Sequence, residues 1–152
     1  MQKVNVLSAE IPKGEFMLGI ARGLRSTKTL LNIYDYAPGQ AGRYHYEFDE
    51  EWLLILDGTL VLRTPDGEHT LERGDLVRFP PGPEGAHRVM NRSESPARTM
   101  MWSSRGTEPA VVVYPDSDTI GVMFEDEARN KVFKRSDAVP WAEGDEDWYR
   151  AD

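Results

Sequence analysis

An all-β sandwich or barrel is the fold class this sequence predicts, on three observations. Short segments alternate apolar and polar residues, tight-turn signals recur between those segments, and no long helical periodicity occurs anywhere in the chain. Met1 to Glu15, broken by Pro12 and Gly14, reads as an N-terminal strand or arm. Two β-type segments follow, Phe16 to Ala21 and Thr27 to Tyr36, separated by the polar run Arg22 to Ser26. In the second, Leu31, Ile33 and Asp35 alternate with Leu30, Asn32, Tyr34 and Tyr36, and Ala37-Pro38-Gly39 ends it because proline fixes φ and glycine accepts conformations other residues avoid.

Beyond the stretch Gly39 to Gly58, Asp57-Gly58, Thr64-Pro65-Asp66-Gly67 and Arg73-Gly74-Asp75 mark turns of a meander. Leu76 to Phe79 precedes the rigid loop Pro80 to Gly85, whose prolines cannot supply ladder donors, and Ala86 to Asn91 resumes a strand. Ala97 to Ser103, Ala110 to Tyr114 and Thr119 to Phe124 complete the set, and Arg129 to Arg135 suits a short helix or a final strand. The tail from Ser136 carries Trp141, Trp148 and Tyr149 among acidic residues, too aromatic for a purely disordered segment, and is expected to dock. One domain over residues 1–152 is expected: an arm 1–15, a core barrel of about 27–124 and an extension 125–152.

Composition narrows the chemistry. The absence of cysteine excludes disulfides, thiolate nucleophiles and cysteine-bound zinc, so any metal must sit on nitrogen and oxygen. A formal net charge of -8 opposes nucleic acid and anionic membranes as partners. No segment has signal-peptide character or the length to span a bilayer, and the expected location is the cytoplasm.

The chemistry-bearing residues cluster in Gly39 to Gly58. His45, Glu47 and Glu51 occupy odd positions, which share one face of an extended strand, and that face continues through Leu53 and Ile55. Potential metal ligands therefore run into an apolar stripe of the kind that lines a barrel interior. Taken singly, each of these residues suits a solvated position equally well; the set is what points to a metal.

Two spaced segments, Gly39-x5-His45-x-Glu47-x3-Glu51-x6-Gly58 and Gly74-x5-Pro80-x-Gly82-x4-His87-x3-Asn91, resemble the paired motifs of the cupin superfamily. The resemblance covers the central third of the chain and implies a double-stranded β-helix, or jelly-roll barrel. It departs from the family pattern twice. Glu47 stands where the family has its second histidine, and the Gly82–His87 spacing is two residues longer than usual. Carried over by position, the resemblance implies metal ligation by His45, Glu51 and His87, with Glu47 a fourth ligand or a neighbouring carboxylate that serves as acid or base. Two imidazoles and a carboxylate suit Fe, Mn or Zn, with Ni also allowed.

Arg43 and Tyr44 flank the first ligand as candidate substrate contacts, and Trp102 is a third. On its strand, either Met100 with Trp102 or Met101 faces the interior. Arg78, Arg88 and Arg98 lie on β segments, and His69, beside a turn, is expected at the surface. Trp52, Leu54 and Leu56 point away from the ligand face and need cover from the second sheet, the arm or another subunit, which makes a homodimer the expected assembly. The functional expectation is a metal-binding protein acting on a small polar metabolite, of dioxygenase, isomerase or epimerase, or lyase type; the alternative is a non-catalytic small-molecule or carbohydrate-binding sensor.

Overall fold

The structure, a computed structural model, describes residues 1–104, 109–124 and 126–140. Twelve strands form among them: β1 (Met17–Gly19), β2 (Thr29–Tyr36), β3 (Tyr46–Glu47), β4 (Glu51–Asp57), β5 (Thr59–Thr64), β6 (Gly67–Glu72), β7 (Leu76–Phe79), β8 (Arg88–Met90), β9 (Ala97–Ser104), β10 (Ala110–Tyr114), β11 (Thr119–Met123) and β12 (Lys131–Lys134). One sheet runs β1-β2-β9-β4-β7, a second β12-β11-β10-β3 and a third β6-β5-β8, with every pairing antiparallel. Bridges Ala41–Met90 and His45–His87 join the second and third sheets into one layer facing the first. This is an all-β jelly roll, as expected.

Between the layers lies a core of Tyr36, Leu53, Ile55, Leu60, Leu62, Leu71, Phe79, Val89, Ala97 and Met101. Register explains its composition. Leu53 pairs with Met101 and Tyr36 with Ala97, so the inward rows of β2, β4 and β9 meet side by side. At the β4–β5 hairpin, Gly58 has φ +80°, and a Cβ there would lie 2.7 Å from the Ala97 side chain. Only glycine lets this hairpin approach the start of β9 so closely.

Two sequence expectations change, and one open alternative is settled. Gly39 to Gly58 is not one continuous strand: the chain bends over residues 48–50, leaving β3 in one layer and β4 in the other. His45 and Glu51 therefore meet across the barrel rather than along one face. Phe16 to Ala21 does not stay extended either, because Ile20–Gly23 forms a single helical turn, α1, with Ile20 and Ala21 buried. A short apolar run suits a buried strand or a buried helical turn alike, and periodicity alone does not separate them. Residues 129–135 contain the final strand β12, flanked by 3₁₀ turns at Glu127–Arg129 and Arg135–Asp137.

The arm Met1 to Glu15 forms no strand. Arg98 anchors it: the guanidinium binds Asp35 through both carboxylate oxygens at 2.6 and 2.7 Å and donates to the Leu7 and Ala9 carbonyls at 3.0 Å. Leu56, beside this arm, is buried, while Trp52 and Leu54 on the same outer face are half-buried. The expected docking of Trp141, Trp148 and Tyr149 lies outside the described residues.

Asn91 closes the fold beneath the site. Its amide nitrogen donates to the Tyr36 and Ser95 carbonyls at 2.7 and 2.8 Å, and its oxygen accepts from the Ser93 N–H and hydroxyl at 2.9 and 2.8 Å, all at 1% exposure. Truncation leaves the buried Tyr36 carbonyl without this donor. Asn91→Ala is predicted to cost about 2–4 kcal/mol in urea unfolding, as four bonds are lost and the Tyr36 carbonyl stays buried; an unchanged midpoint would refute this role.

Candidate metal centre

Two backbone hydrogen bonds build the centre, His45 N–H to the His87 carbonyl at 3.0 Å and His87 N–H to the His45 carbonyl at 2.8 Å. This bridge puts the imidazoles side by side, with ring centroids 4.6 Å apart. Glu51, at the start of β4, reaches them from the opposite layer, its Oε2 lying 4.0 Å from His45 Nε2 and 3.9 Å from His87 Nε2. One ligand atom from each of the three lies within 4.8 Å of the others.

Each ring is oriented from behind. His45 Nδ1 lies 3.0 Å from the Arg43 carbonyl and His87 Nδ1 2.9 Å from the Gly85 carbonyl, so Nδ1 carries the proton that these acceptors require and Nε2 presents a lone pair. Phe79 stacks flat on His87, centroids 3.7 Å apart. The lengthened Gly82–His87 spacing is absorbed by a 3₁₀ turn, Pro83–Gly85, that returns His87 to the bridge. At Gly85 a Cβ would fall 1.9 Å from the Pro80 carbonyl oxygen, so no other residue fits this turn unchanged.

His87 is 1% exposed, and its Nε2 has no hydrogen-bond partner among the described residues. A buried acceptor without a donor is costly unless something else fills the role. Burial, reinforced by His45, lowers the His87 pKa to about 3, and burial lowers that of His45, so both rings are neutral and fit to bind a cation. Two neutral imidazoles and a carboxylate around an orphaned lone pair fit a divalent transition metal.

Glu47, on β3, lines the same cavity of about 190 Å³ but is not one of the three residues whose ligand atoms converge. Burial is the main cause raising both carboxyls, Glu47 to about 7 and Glu51 to about 8; Asp49 adds to the first, Glu47 and Asp49 to the second. No Lys or Arg lines this cavity among the described residues. Its remaining wall includes Phe16, Tyr34, Tyr36 and Met101, with Asn32 and Ser103 as polar members.

The other candidates stand further away. Arg43 is exposed and lies over the Tyr114 ring at 4.9 Å, while Tyr44 lies under the guanidinium of Arg63, itself paired with Asp116. Trp102 borders the cavity, yet strand parity turns its ring to the outer face, where it stacks on Trp52 at 6.0 Å; Met101 is the inward residue. Arg78 pairs with Glu50, Arg88 donates to the Gly42 carbonyl, and His69 is exposed. Sequence reasoning missed Asn32, Tyr34 and Tyr36 as cavity residues, although their shared parity on β2 was the available signal.

The raised carboxyls give a pH prediction for the metal-free chain. Their native pKa values exceed the unfolded value of 4.5, so the native state holds extra protons between pH 4.5 and 8 and loses stability as pH rises through that window. The melting temperature of metal-free protein should fall more steeply from pH 5 to 8 than that of Glu47→Gln; parallel curves would refute the shift at Glu47.

Comparison with known proteins follows this geometry. Residues 32–103 match the cupin domain family. Tetracenomycin polyketide synthase protein TcmJ of Streptomyces glaucescens is 33% identical over 76 residues, which is 49% of this chain and 50% of that protein. The match thus spans half the length of this curated relative. A cupin-superfamily sugar phosphate isomerase from Silicibacter pomeroyi superimposes with a TM-score of 0.72 at 23% identity, covering 83% of this chain and 80% of that one. The polyketide cyclase RemF of Streptomyces resistomycificus superimposes with a TM-score of 0.58 at 16% identity over 72% and 83%. Both structural likenesses lie below 25% identity and establish the shared fold alone.

Proposed function

We propose that this chain, whose residues 32–103 match the cupin domain family and whose fold is shared with cupin structures, holds one divalent metal on His45, Glu51 and His87 and is an enzyme acting on a small oxygenated metabolite in the adjoining cavity. The buried, unpartnered Nε2 of His87, aimed at Glu51 beside His45, is the observation that carries this reading. Fe, Mn and Zn suit the donor set, and the bound metal supplies Lewis acidity and open coordination positions. Glu47 holds or moves a proton at its carboxylate oxygen, a role supported by its place on the cavity wall and its raised pKa. Asn32 and Ser103 orient the ligand through hydrogen bonds, and Phe16, Tyr34 and Tyr36 exclude water. Arg43 and Tyr44 stand outside the cavity wall.

The same residues accommodate oxygenase, isomerase and lyase chemistry, and a fold that hosts many reactions does not select among them. The polyketide and sugar phosphate roles belong to the relatives named above; of these, the polyketide-related protein has the stronger sequence likeness. The half-buried outer face with Trp52, Leu54, Met100 and Trp102 supports a homodimer.

Metal analysis of protein purified without chelator tests the site. Wild type should carry about one divalent ion per chain, and His45→Ala, Glu51→Gln and His87→Ala should each lose at least tenfold in affinity, the scale expected when a ligand is removed. Glu47→Gln should keep the metal and lose turnover. Equal metal content in wild type and the three ligand variants would overturn the assignment.

A further inference from the structure

The metal cavity is small for its purpose. Small-molecule sites commonly enclose roughly 300–1,000 Å³, and the space bounded by Glu47, Glu51 and the aromatic wall is about 190 Å³. A second cavity of about 500 Å³ adjoins it, bounded by Met17, Gly19, the helical turn α1 and Phe124. Leu30 and Asn32 line both. The two spaces therefore meet at the inward face of β2, and together they fall within the ordinary range for a ligand site.

Their chemistries differ in a way that orders a ligand. The inner space has two carboxyls, His45 and no basic side chain among the described residues. The outer one joins Met17, Ala21, Leu30, Phe124 and glycine backbone to the hydroxyl residues Ser26 and Thr29, with Arg22 and Glu127, one charge of each sign, at exposed positions. Beyond the bound ion, whose charge Glu47 and Glu51 already offset, an anionic ligand meets no Lys or Arg inside among the described residues. A neutral molecule with vicinal oxygens gains the metal's open positions and keeps an apolar remainder to place elsewhere.

We propose that the groove between α1 and Phe124 is an extension of the metal site that takes the apolar body of a neutral ligand whose paired oxygens sit at the metal. This rests on the metal reading above and adds the substrate class to it: neutral, chelating at one end and apolar at the other, not phosphorylated. Burial of the body's apolar surface in the groove supplies affinity that the head alone lacks.

Gly23 offers a clean block. Gly23 lines the groove, its backbone is not in the left-handed region and a Cβ added there meets nothing within 4 Å, so a bulky residue is accommodated at the groove's edge without strain at the point of attachment. The experiment is calorimetric titration of Mn(II)-loaded protein with catechol, 2,3-dihydroxynaphthalene and glucose 6-phosphate, on wild type, Gly23→Trp and Met17→Glu, with retained metal measured in each. Wild type should bind 2,3-dihydroxynaphthalene at least tenfold tighter than catechol and glucose 6-phosphate weakest of the three. Both variants should keep the metal and the catechol affinity while losing the naphthalene advantage. Equal affinity for the two diols, tighter binding of the phosphate, or an advantage that survives both substitutions would overturn the groove assignment while leaving the metal site standing. Wild type that retains no Mn(II) and binds neither diol would overturn the metal reading and the extension together.

Discussion

The reciprocal pair of backbone hydrogen bonds between His45 and His87 is the constraint on which the rest of the site depends. It joins segments far apart in sequence, continues one sheet into the next and fixes where both imidazoles leave the backbone. Side-chain chemistry then follows from short connections. Each Nδ1 finds a carbonyl two residues back, at Arg43 and at Gly85, so each Nε2 turns to Glu51. Phe79, beside Glu51 in the β4–β7 register, holds the His87 ring flat. A site assembled this way is pre-organised by strands rather than by mobile loops, and that limits the reorganisation needed when an ion enters.

Charge is distributed with the same consistency. Arg63, Arg78, Arg92 and Arg98 each pair with a carboxylate away from the cavity, at Asp116, Glu50, Glu68 and Asp35. Glu47 and Glu51 receive no such partner, and burial pushes both carboxyls toward their protonated forms. A divalent ion removes the reason for that shift, because it supplies positive charge where the protein supplies none. Beyond that ion the cavity offers an anionic ligand no Lys or Arg among the described residues. Metal preference and ligand preference thus have one electrostatic origin.

Much of this was legible in the sequence, for identifiable reasons. Turn signals at Asp57-Gly58 and Pro65-Asp66-Gly67 punctuate short strands, and the two spaced motifs name His45, Glu51 and His87. Parity placed Leu53 and Ile55 inside correctly. It misread how His45 reaches Glu51, because a bend at residues 48–50 moves the chain between layers, and spacing along a strand does not reveal such a crossing. On β2 both faces carry apolar residues, Leu31 and Ile33 against Tyr34 and Tyr36, so pattern alone could not say which face lined the cavity. Ile33, on the outer row, is fully buried. The side of β9 that carries Met101 was likewise left open by alternation and fixed only by its register with Leu53. Arg98 showed in the sequence only as an arginine on a β segment, because its partners, Asp35 and the carbonyls of the arm, lie far away in sequence.

The most direct test of the central claim is anomalous diffraction recorded across the Mn, Fe and Zn edges from crystals of protein purified without added metal. A peak bounded by His45 Nε2, His87 Nε2 and a Glu51 carboxylate oxygen is the predicted result. Glu47 should stand outside the first ring of ligands. A map with no peak among these residues, or with the ion held elsewhere while His87 Nε2 bonds to protein, would contradict the account.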